Sequence, residues 1–356
     1  MRDPRNRKQV EKLFVLGAGA SLAASQVRAT PGQSPVYQTP LDLEFAARIA
    51  NLDLTRPSWV AEERDRVSRF FAPRGSFRDY RLEEAVLRQL SLLELLEALH
   101  PRRSRSKIEP AAWLDSVSHL ICIVLRRARE NRSRLYEQLA SRYFPAGVAI
   151  DRLENRIITF NYDTLLDQHI LRGRAVTDVY FDQIRERRDR PARAPQPNPL
   201  LLKLHGSINW RCTSENLQAL IRGGDPGENL YRIEAVWVDN SSSPSPSDAV
   251  SPLLIPPLPT KPITSVSLFR WLWTRAYEYL NTARELIVIG YSLPPADQVA
   301  DSMFGSFRPE RLSRICIVDP NTAALDRWRS VLRRAGVEGQ NWDYCESLSD
   351  FLRNEQ

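Results

Sequence analysis

The sequence predicts an α/β protein built on a mainly parallel sheet. Short runs of apolar and β-branched residues recur along the chain, and helical stretches alternate with them. Glycine, Asn, His or Asp stands directly after several of these runs. Because ligands of parallel sheets bind beyond the carboxyl ends of the strands, we expect these residues to meet at one site.

The composition is that of a soluble globular protein. The 356 residues are 42% hydrophobic and 26% charged, and no run reaches the roughly 18 apolar residues that span a bilayer. The N-terminal segment, Met1–Lys12, is charged and lacks the apolar core of a signal peptide, so we expect a cytoplasmic protein. The four cysteines form no CxxC pair, and we therefore expect no zinc site.

The chain is basic, with a net charge of +7 and a pI of about 9.4. Most of the positive charge comes from arginine, which is clustered at 102–105, 126–129 and 185–190. A nucleic-acid partner would produce such clusters, and so would ordinary solvated helix faces. No aromatic–basic module or helix-turn-helix pattern accompanies the charge, so nucleic-acid binding is not predicted.

The first half of the chain is predicted to hold one strand and many helices. Residues 1–40 contain the strand Leu13–Leu16 and a glycine-rich turn, and residues 41–150 form a mainly helical insertion. Trp113–Arg129 shows the helical period, and no strand pattern interrupts the region before Arg156.

Residues 151–356 are predicted to complete the α/β domain. A Ser/Pro-rich segment at about 240–262 carries the apolar residues Leu253-Leu254-Ile255, and Arg185–Pro199 is predicted to be an exposed loop. The predicted strands are Arg156–Phe160, Val176–Phe181, Leu200–Leu204, Glu285–Ile289 and Ile315–Val318; the predicted helices are Thr164–Leu171, Trp271–Thr282 and Thr322–Ala335; and Trp342–Leu352 supplies a last strand and helix.

The turn Gly17-Ala18-Gly19-Ala20-Ser21 follows a strand and precedes a helix. Its two glycines allow the backbone to approach a pyrophosphate, whose charge the helix N-terminus stabilises. Residue 22 is leucine where the usual dinucleotide fingerprint has a third glycine, and no acidic residue ends a second strand about 20 residues on. A conventional hydride-transferring dehydrogenase is therefore disfavoured, and a plain tight turn remains an alternative.

Asn161, Asp163 and His205 are the candidate polar residues beyond the next strands. Asn161 and Asp163 follow Phe160, where either could instead cap a helix. His205 ends an apolar run and is followed by Gly206, so it is a candidate general base, with a buried core histidine as the alternative.

Two further strands end in residues suited to a nucleotide. Gly290 offers a close backbone approach and Ser292 a hydroxyl, while Asp297 is placed to cap the following helix. Asp319 is placed to bind ribose hydroxyls, with Asn321 two residues on, and a turn built on the intervening proline is the alternative.

Taken in order, five segments resemble the sirtuin-like domains of bacterial antiphage defence proteins. The resemblance implies a Rossmann-like, doubly wound NAD-binding domain with a helical insertion, and it runs from about Leu13 to Leu352. The Leu253–Pro257 segment with Lys261 also resembles this branch. The five segments are Gly17-Ala18-Gly19-Ala20-Ser21, Phe160-Asn161-Tyr162-Asp163, His205-Gly206-Ser207-Ile208-Asn209-Trp210, Ile289-Gly290-Tyr291-Ser292-Leu293 and Val318-Asp319-Pro320-Asn321.

The resemblance also implies a role for each candidate residue. Asn161 would hold the nicotinamide ribose and an attacking water, and His205 would be the catalytic base. Asp163 would contact the nicotinamide carboxamide. The remaining residues would bind the rest of NAD⁺: Gly17, Ala18, Gly19 and Ser21 at the phosphate-binding turn, Gly290 and Ser292 at phosphate or ribose, and Asp319 or Asn321 at the adenosine ribose.

Two departures from protein-deacylating sirtuins favour the NAD⁺-hydrolysing branch. The two CxxC pairs of their zinc module are absent after His205, and Pro40–Phe45 replaces their Asp-Phe-Arg. We therefore expect an NAD⁺ glycohydrolase acting in antiphage defence, with NAD⁺ as substrate and no zinc. A deacylase or ADP-ribosyltransferase and a non-catalytic NAD- or ADP-ribose-binding scaffold are the alternatives. Because a free NADase would deplete its own cell, we expect a homo-oligomer or a separate partner such as a HerA-like ATPase.

Overall fold

The computed structural model describes residues 9–25, 110–128, 133–181, 184–185, 198–213, 236–239, 250–255, 263, 266–295 and 297–355. In chain order its strands and helices are β1 (Val10–Leu16), α1 (Ala18–Ser25), α2 (Pro110–Ala128), α3 (Arg134–Tyr143), β2 (Arg156–Thr159), α4 (Asp167–Ile170), α5 (Val176–Val179), β3 (Ile184–Arg185), β4 (Leu201–Lys203), β5 (Gly206–Thr213), β6 (Val236–Val238), β7 (Val250–Leu254), α6 (Ser267–Thr282), β8 (Ala283–Ile289), α7 (Gln298–Ser306), β9 (Arg314–Val318), α8 (Thr322–Arg334), β10 (Asn341–Cys345) and α9 (Leu348–Asn354). A 3₁₀ turn spans Ile150–Arg152.

The central sheet has six strands in the order β10-β9-β8-β1-β2-β4, and every pairing in it is parallel. The chain starts at β1, moves outward through β2 to β4, and then returns to β8 on the other side of β1. The direction of winding reverses between β1 and β8, which are paired from Val10 to Leu16. This is the doubly wound, Rossmann-like order, and it confirms the predicted fold class.

The central strands of the sheet are buried on both faces, which explains their apolar runs, whereas β10 at the edge is partly exposed. Leu13, Phe14 and Val15 of β1 have no exposed surface, and Ile287 of β8 is equally buried. Helices cover the two faces, with α6 contacting β1, β4 and β8. The strands are thus held by burial of both sides of the sheet, and the polar residues collect at the strand ends.

A second, four-stranded sheet has the order β3-β6-β5-β7. β5 pairs antiparallel with both β6 and β7. Only Leu204 and His205 separate β4 from β5, so His205 lies at the junction of the two sheets. Helix α2 packs against β5 and β7, and the Arg126 guanidinium donates to the Ile208 carbonyl at 3.4 Å. The sequence analysis did not predict β5.

Two predictions of local structure are wrong. The predicted strand Val176–Phe181 is the helix α5, in which the Tyr180 amide donates to the Val176 carbonyl at 2.9 Å; the apolar run is too short for its periodicity to separate strand from helix. The predicted helix Thr164–Leu171 shrinks to α4, because the Asp163 side chain accepts from the Leu165 amide at 3.0 Å and forms a turn there.

Part of the predicted organisation lies outside the described residues. This applies to residues 26–109 of the predicted loop and insertion, to 186–197, and to most of 240–262, including Lys261. The parts of 41–150 within the described ranges include the helices α2 and α3, and Leu253-Leu254 belong to β7. Among the described helices, none has the length and apolar character needed to cross a membrane.

Candidate functional site

The glycine turns after β1 and β8 meet at the point where the sheet reverses. The Gly17 amide donates to the Ile289 carbonyl at 3.1 Å, and the Gly19 amide donates to the Gly290 carbonyl at 3.0 Å. A Cβ atom on Gly290 would lie 2.1 Å from the Ala20 nitrogen, and its φ of +58° already favours glycine. These glycines therefore allow two loops to touch backbone to backbone.

Helix α1 begins directly at this contact. Ala18, its first residue, is exposed, whereas the Ala20 amide donates to the Gly17 carbonyl at 3.0 Å. Ser21 is 1% exposed and points into the protein. Ala18 is thus the exposed residue of the predicted phosphate turn. Ser21 is buried, and its hydroxyl forms hydrogen bonds inside the protein.

Asn161 is held in one orientation by two acceptors. Its Nδ2 donates to the Gly17 carbonyl at 2.8 Å and to the Ser21 hydroxyl at 3.0 Å. A carbonyl only accepts, so the atom facing it is the amide nitrogen and not the oxygen. Both N–H groups are thereby used, and Oδ1 is the Asn161 side-chain atom that can accept a hydrogen bond from a ligand.

Asp163 and Lys203 form a buried polar layer beside Asn161. The Lys203 Nζ donates to the Asp163 carbonyl at 2.5 Å and lies 3.2 Å from the Asp167 carboxylate. Burial raises the pKa of the Asp163 carboxyl, while Lys203 and a hydrogen bond from Ser21 act in the opposite direction. Asp163 shapes the turn at Leu165 and does not cap α4, which begins at Asp167.

A small cavity of about 200 Å³, including its open side, lies against this layer. Its lining is mostly polar and combines residues from α1, α3, the loop after β2, and β4. The polar lining residues are Ser21, Tyr136, Thr159, Asn161, Asp163, Asp167 and Lys203.

His205 lies at the end of β4 among aromatic rings. The ring centroids of Phe160 and Trp273 are 5.3 Å and 6.2 Å from that of the imidazole. Its Nε2 lies 3.7 Å from Oδ2 of Asp297, and the Tyr291 hydroxyl donates to the same oxygen at 2.9 Å. A carboxylate this close can orient an imidazole and stabilise its protonated form.

Gly206 fixes the backbone of His205. Its φ is +81°, and a Cβ there would lie 2.3 Å from the Leu253 carbonyl of β7. The Ile255 amide donates to the His205 carbonyl at 2.8 Å. The glycine after the histidine is thus required for the close approach of β7, a reason that the sequence pattern alone did not give.

The residues beyond β8 and β9 are arranged as local turns and caps. The Asn321 amide donates to Asp319 Oδ1 at 2.9 Å, and Asn321 Oδ1 accepts from Ala323 as the cap of α8. These bonds form the turn around the intervening proline that was the alternative to ribose binding. Both residues also lie at the carboxyl edge of the sheet, where ligands of such folds bind. Burial raises the pKa of Asp319. Ser292 is exposed, and its carbonyl accepts from Arg327 at 3.1 Å.

The predicted residues therefore fall into three groups along one edge of the sheet. Gly17, Ser21, Asn161 and Asp163 are joined by hydrogen bonds or lie in one cavity wall. The second group is His205 with Asp297. The third group lies beyond β8 and β9, where the Gly290 amide donates to the Val318 carbonyl at 2.8 Å.

Three residues of this site were not predicted in these roles. Asp297 was expected to cap α7, and this is confirmed because its side chain accepts from the Ala300 amide. Its approach to His205 was not predicted. Lys203 was detectable as the only charge in the apolar run before His205. Nothing in the sequence pattern marked Tyr136.

Comparison with known proteins identifies this part of the chain. No curated protein matches the sequence. Residues 155–313 match the family model described as the SIR2-like domain, a range that includes Asn161, Asp163, His205, Gly290 and Ser292. The segment that carries these residues is therefore similar to the SIR2-like domain, whose family typically consists of NAD-dependent enzymes.

Proposed function

We propose that this protein is an NAD⁺ glycohydrolase that cleaves NAD⁺ into nicotinamide and ADP-ribose. The observation that carries the proposal is the fixed amide of Asn161. Its nitrogen is bound to Gly17 and Ser21, so its oxygen is the atom offered to a ligand at the edge of the sheet. The loop that holds it follows β2, which lies between β1 and β4, the strand that precedes His205.

The reaction needs a positioned water more than a strong nucleophile. The bond between the nicotinamide nitrogen and ribose C1′ breaks, and its electron pair neutralises the positive charge of the ring. The water oxygen bonds to C1′, and the water proton passes to His205 and then to solvent. General-base help of this kind contributes about 10²–10⁴-fold to the rate.

Each residue would then act on a different part of the substrate. Asn161 Oδ1 would accept from the nicotinamide ribose and the attacking water, and Asp163 would contact the carboxamide. Asp297 lies where it would stabilise His205 once the imidazole takes up the proton. We assign the other predicted residues to the phosphates and the adenosine ribose: Gly17, Ala18, Gly19, Gly290, Ser292, Asp319 and Asn321.

Two features of the segment after His205 support water rather than an acyl-peptide as the second substrate. The residues that follow the histidine form the strand β5 of the second sheet. The sequence after His205 also lacks the two CxxC pairs of the zinc module of protein deacylases. We further propose that the enzyme acts as an antiphage effector by depleting NAD⁺, restrained by self-assembly or by a partner such as a HerA-like ATPase.

The test is NAD⁺ consumption by the purified full chain, with nicotinamide and ADP-ribose measured by chromatography. We expect Asn161→Ala and His205→Ala each to lower turnover at least about 100-fold without unfolding the protein. His169→Ala removes another partly buried histidine, in α4, and should leave turnover unchanged. Near-wild-type NAD⁺ loss in both site variants would contradict the assignment.

The alternative functions are separated in the same preparation. Deacylation of an acyl-peptide that strictly requires NAD⁺ would favour a transfer reaction over hydrolysis. Binding of NAD⁺ or ADP-ribose without turnover, even with candidate partners present, would favour a non-catalytic scaffold.

A further inference from the structure

We propose that Tyr136 of α3 is a positioning residue for Asn161 and acts on it through the hydroxyl of Ser21. The proposal rests on the proposed hydrolysis of NAD⁺, in which Asn161 contacts the substrate. Tyr136 itself would not touch the reacting atoms.

The link consists of two hydrogen bonds in a row. The Tyr136 hydroxyl lies 3.0 Å from Ser21 Oγ, which in turn accepts from Asn161 Nδ2 at 3.0 Å. Tyr136 and Ser21 are each 1% exposed, and Asn161 is 9% exposed. Buried hydrogen bonds of this kind hold side chains in place, because water cannot replace a partner that is lost.

The chemistry of the amide group gives the direction of the second bond. A hydroxyl has one hydrogen to donate and two positions at which it accepts. The Asn161 amide nitrogen can only donate, so Ser21 accepts from it, and the Tyr136 hydroxyl bonds to the same Ser21 oxygen. Burial and the nearby Asp163 raise the pKa of Tyr136 well above its usual value, which keeps its hydroxyl protonated and able to donate.

Helix α3 supplies a rigid support for the tyrosine. Its first turn is capped by Ser133, whose hydroxyl accepts from the Tyr136 amide at 3.3 Å. Its other end packs on the sheet, where the ring centroids of Tyr143 and Phe14 are 4.8 Å apart. Without the tyrosine hydroxyl, Ser21 loses one of the hydrogen bonds that hold its hydroxyl, and the rotation of that hydroxyl is less restricted. The bond that fixes the second N–H of Asn161 is then weakened.

The test compares two tyrosines of the same helix. Tyr136→Phe and Tyr143→Phe each remove one hydroxyl, but that of Tyr143 donates to Glu355 at 3.2 Å and has no link to Asn161. We expect Tyr136→Phe to lower kcat about tenfold with KM changed less than about twofold, because a misplaced group costs rate more than binding. Tyr143→Phe should leave both constants unchanged. Equal effects of the two variants on kcat would overturn the proposal.

The double variant tests whether the effect passes through Ser21. Ser21→Ala should lower kcat at least as much as Tyr136→Phe, and adding Tyr136→Phe to it should have little further effect. If the kcat loss of the double variant equals the product of the two single losses, the tyrosine acts by another route and the proposal is overturned.

A spectroscopic measurement decides the link even if the proposed reaction fails. In protein labelled with ¹⁵N-asparagine, the side-chain amide signals of Asn161 are identified by their loss in Asn161→Ala. They should shift or broaden in Tyr136→Phe and stay in place in Tyr143→Phe. Unchanged signals in Tyr136→Phe would overturn the positioning role. Absence of NAD⁺ hydrolysis by the wild type would instead overturn the proposed function alone.

Discussion

At the scale of single residues, the site depends on backbone atoms as much as on side chains. Asn161 is oriented by the carbonyl of Gly17, and Gly17 is itself placed by its bond to the end of β8. A mutation of a glycine in these turns therefore acts on the site without removing any functional side chain.

We predict that Gly290→Ala destabilises the fold much more than Gly336→Ala. Both glycines have positive φ, +58° and +74°, so both changes carry the backbone cost of about 1–2 kcal/mol. Only at Gly290 would the new Cβ also overlap the backbone of α1, 2.1 Å from the Ala20 nitrogen, whereas nothing lies within 4 Å at Gly336. Denaturant unfolding measures the difference. Equal losses of unfolding free energy would show that the contact between the turns is not tight in solution.

At the scale of elements, the C-terminal helix α9 is fastened to α3 and to the sheet at its amino-terminal edge. Arg142 of α3 donates to the Leu352 carbonyl at 2.9 Å and also to the Glu355 carbonyl. The Glu355 carboxylate lies within 3.6 Å of Lys12 and also pairs with Arg314 of β9. Burial by itself would raise the pKa of Glu355, but hydrogen bonding and charge from Arg314 and Lys12 bring it below its usual value.

We predict that Glu355→Gln lowers stability by about 1 kcal/mol at neutral pH. A lowered folded-state pKa means that the carboxylate stabilises the fold above its unfolded pKa of about 4.3, and that this contribution disappears as the pH falls through the folded value. The difference in melting temperature between variant and wild type should therefore disappear at low pH. High salt should reduce the same difference only in part. The matched surface change Glu338→Gln should have little effect at any pH. A Glu355→Gln loss that is as large at pH 3 as at pH 7 would contradict the electrostatic explanation.

The sequence predicted the parallel strands well because both faces of this sheet are buried. Ile315–Val318 and Leu286–Ile289 are unbroken apolar runs, and they lie within strands β9 and β8. The strand β5 was missed because polar residues such as Asn209 and Arg211 interrupt its pattern, yet both are buried. The Asn209 side chain accepts from Ser207 in the same strand, and Arg211 lies 3.4 Å from the Asp239 carboxylate.

The positions of the candidate residues were predictable from the sequence, but their connections were not. Strand ends and glycines can be read from the chain, and the structure places Asn161 after β2 and His205 after β4, as expected. The approach of His205 to Asp297 joins residues 92 positions apart, and no local pattern encodes it. Tyr136 belongs to a helix whose own pattern shows only that it packs on the sheet.

At the scale of the whole molecule, the two halves of the sheet carry different parts of the site. The half from β1 to β4 supplies Asn161 and His205, and the half from β8 to β10 supplies Gly290 and Asp319. A dinucleotide bound across the point of reversal would contact both halves and hold them together.

We therefore predict that NAD⁺ raises the melting temperature of the inactive variant His205→Ala by several degrees. A ligand at 100 times its Kd stabilises the folded state by about 2.7 kcal/mol. ADP-ribose should act similarly with wild type, whereas nicotinamide, which would contact only one half, should have little effect. Differential scanning fluorimetry provides the measurement. No shift with either dinucleotide ligand would count against a site that joins the two halves.

The loop from Gly290 to Asp297 joins the two ends of this site. It starts against α1 and ends beside His205, and on the way Tyr291 stacks on Phe160 with ring centroids 4.1 Å apart. The Trp328 indole donates to the Tyr291 carbonyl at 2.8 Å, which ties the loop to α8. If NAD⁺ binds as proposed, these contacts would hold the two ends of the site at a constant separation. A mononucleotide would then reach only one end and would bind more weakly than a dinucleotide.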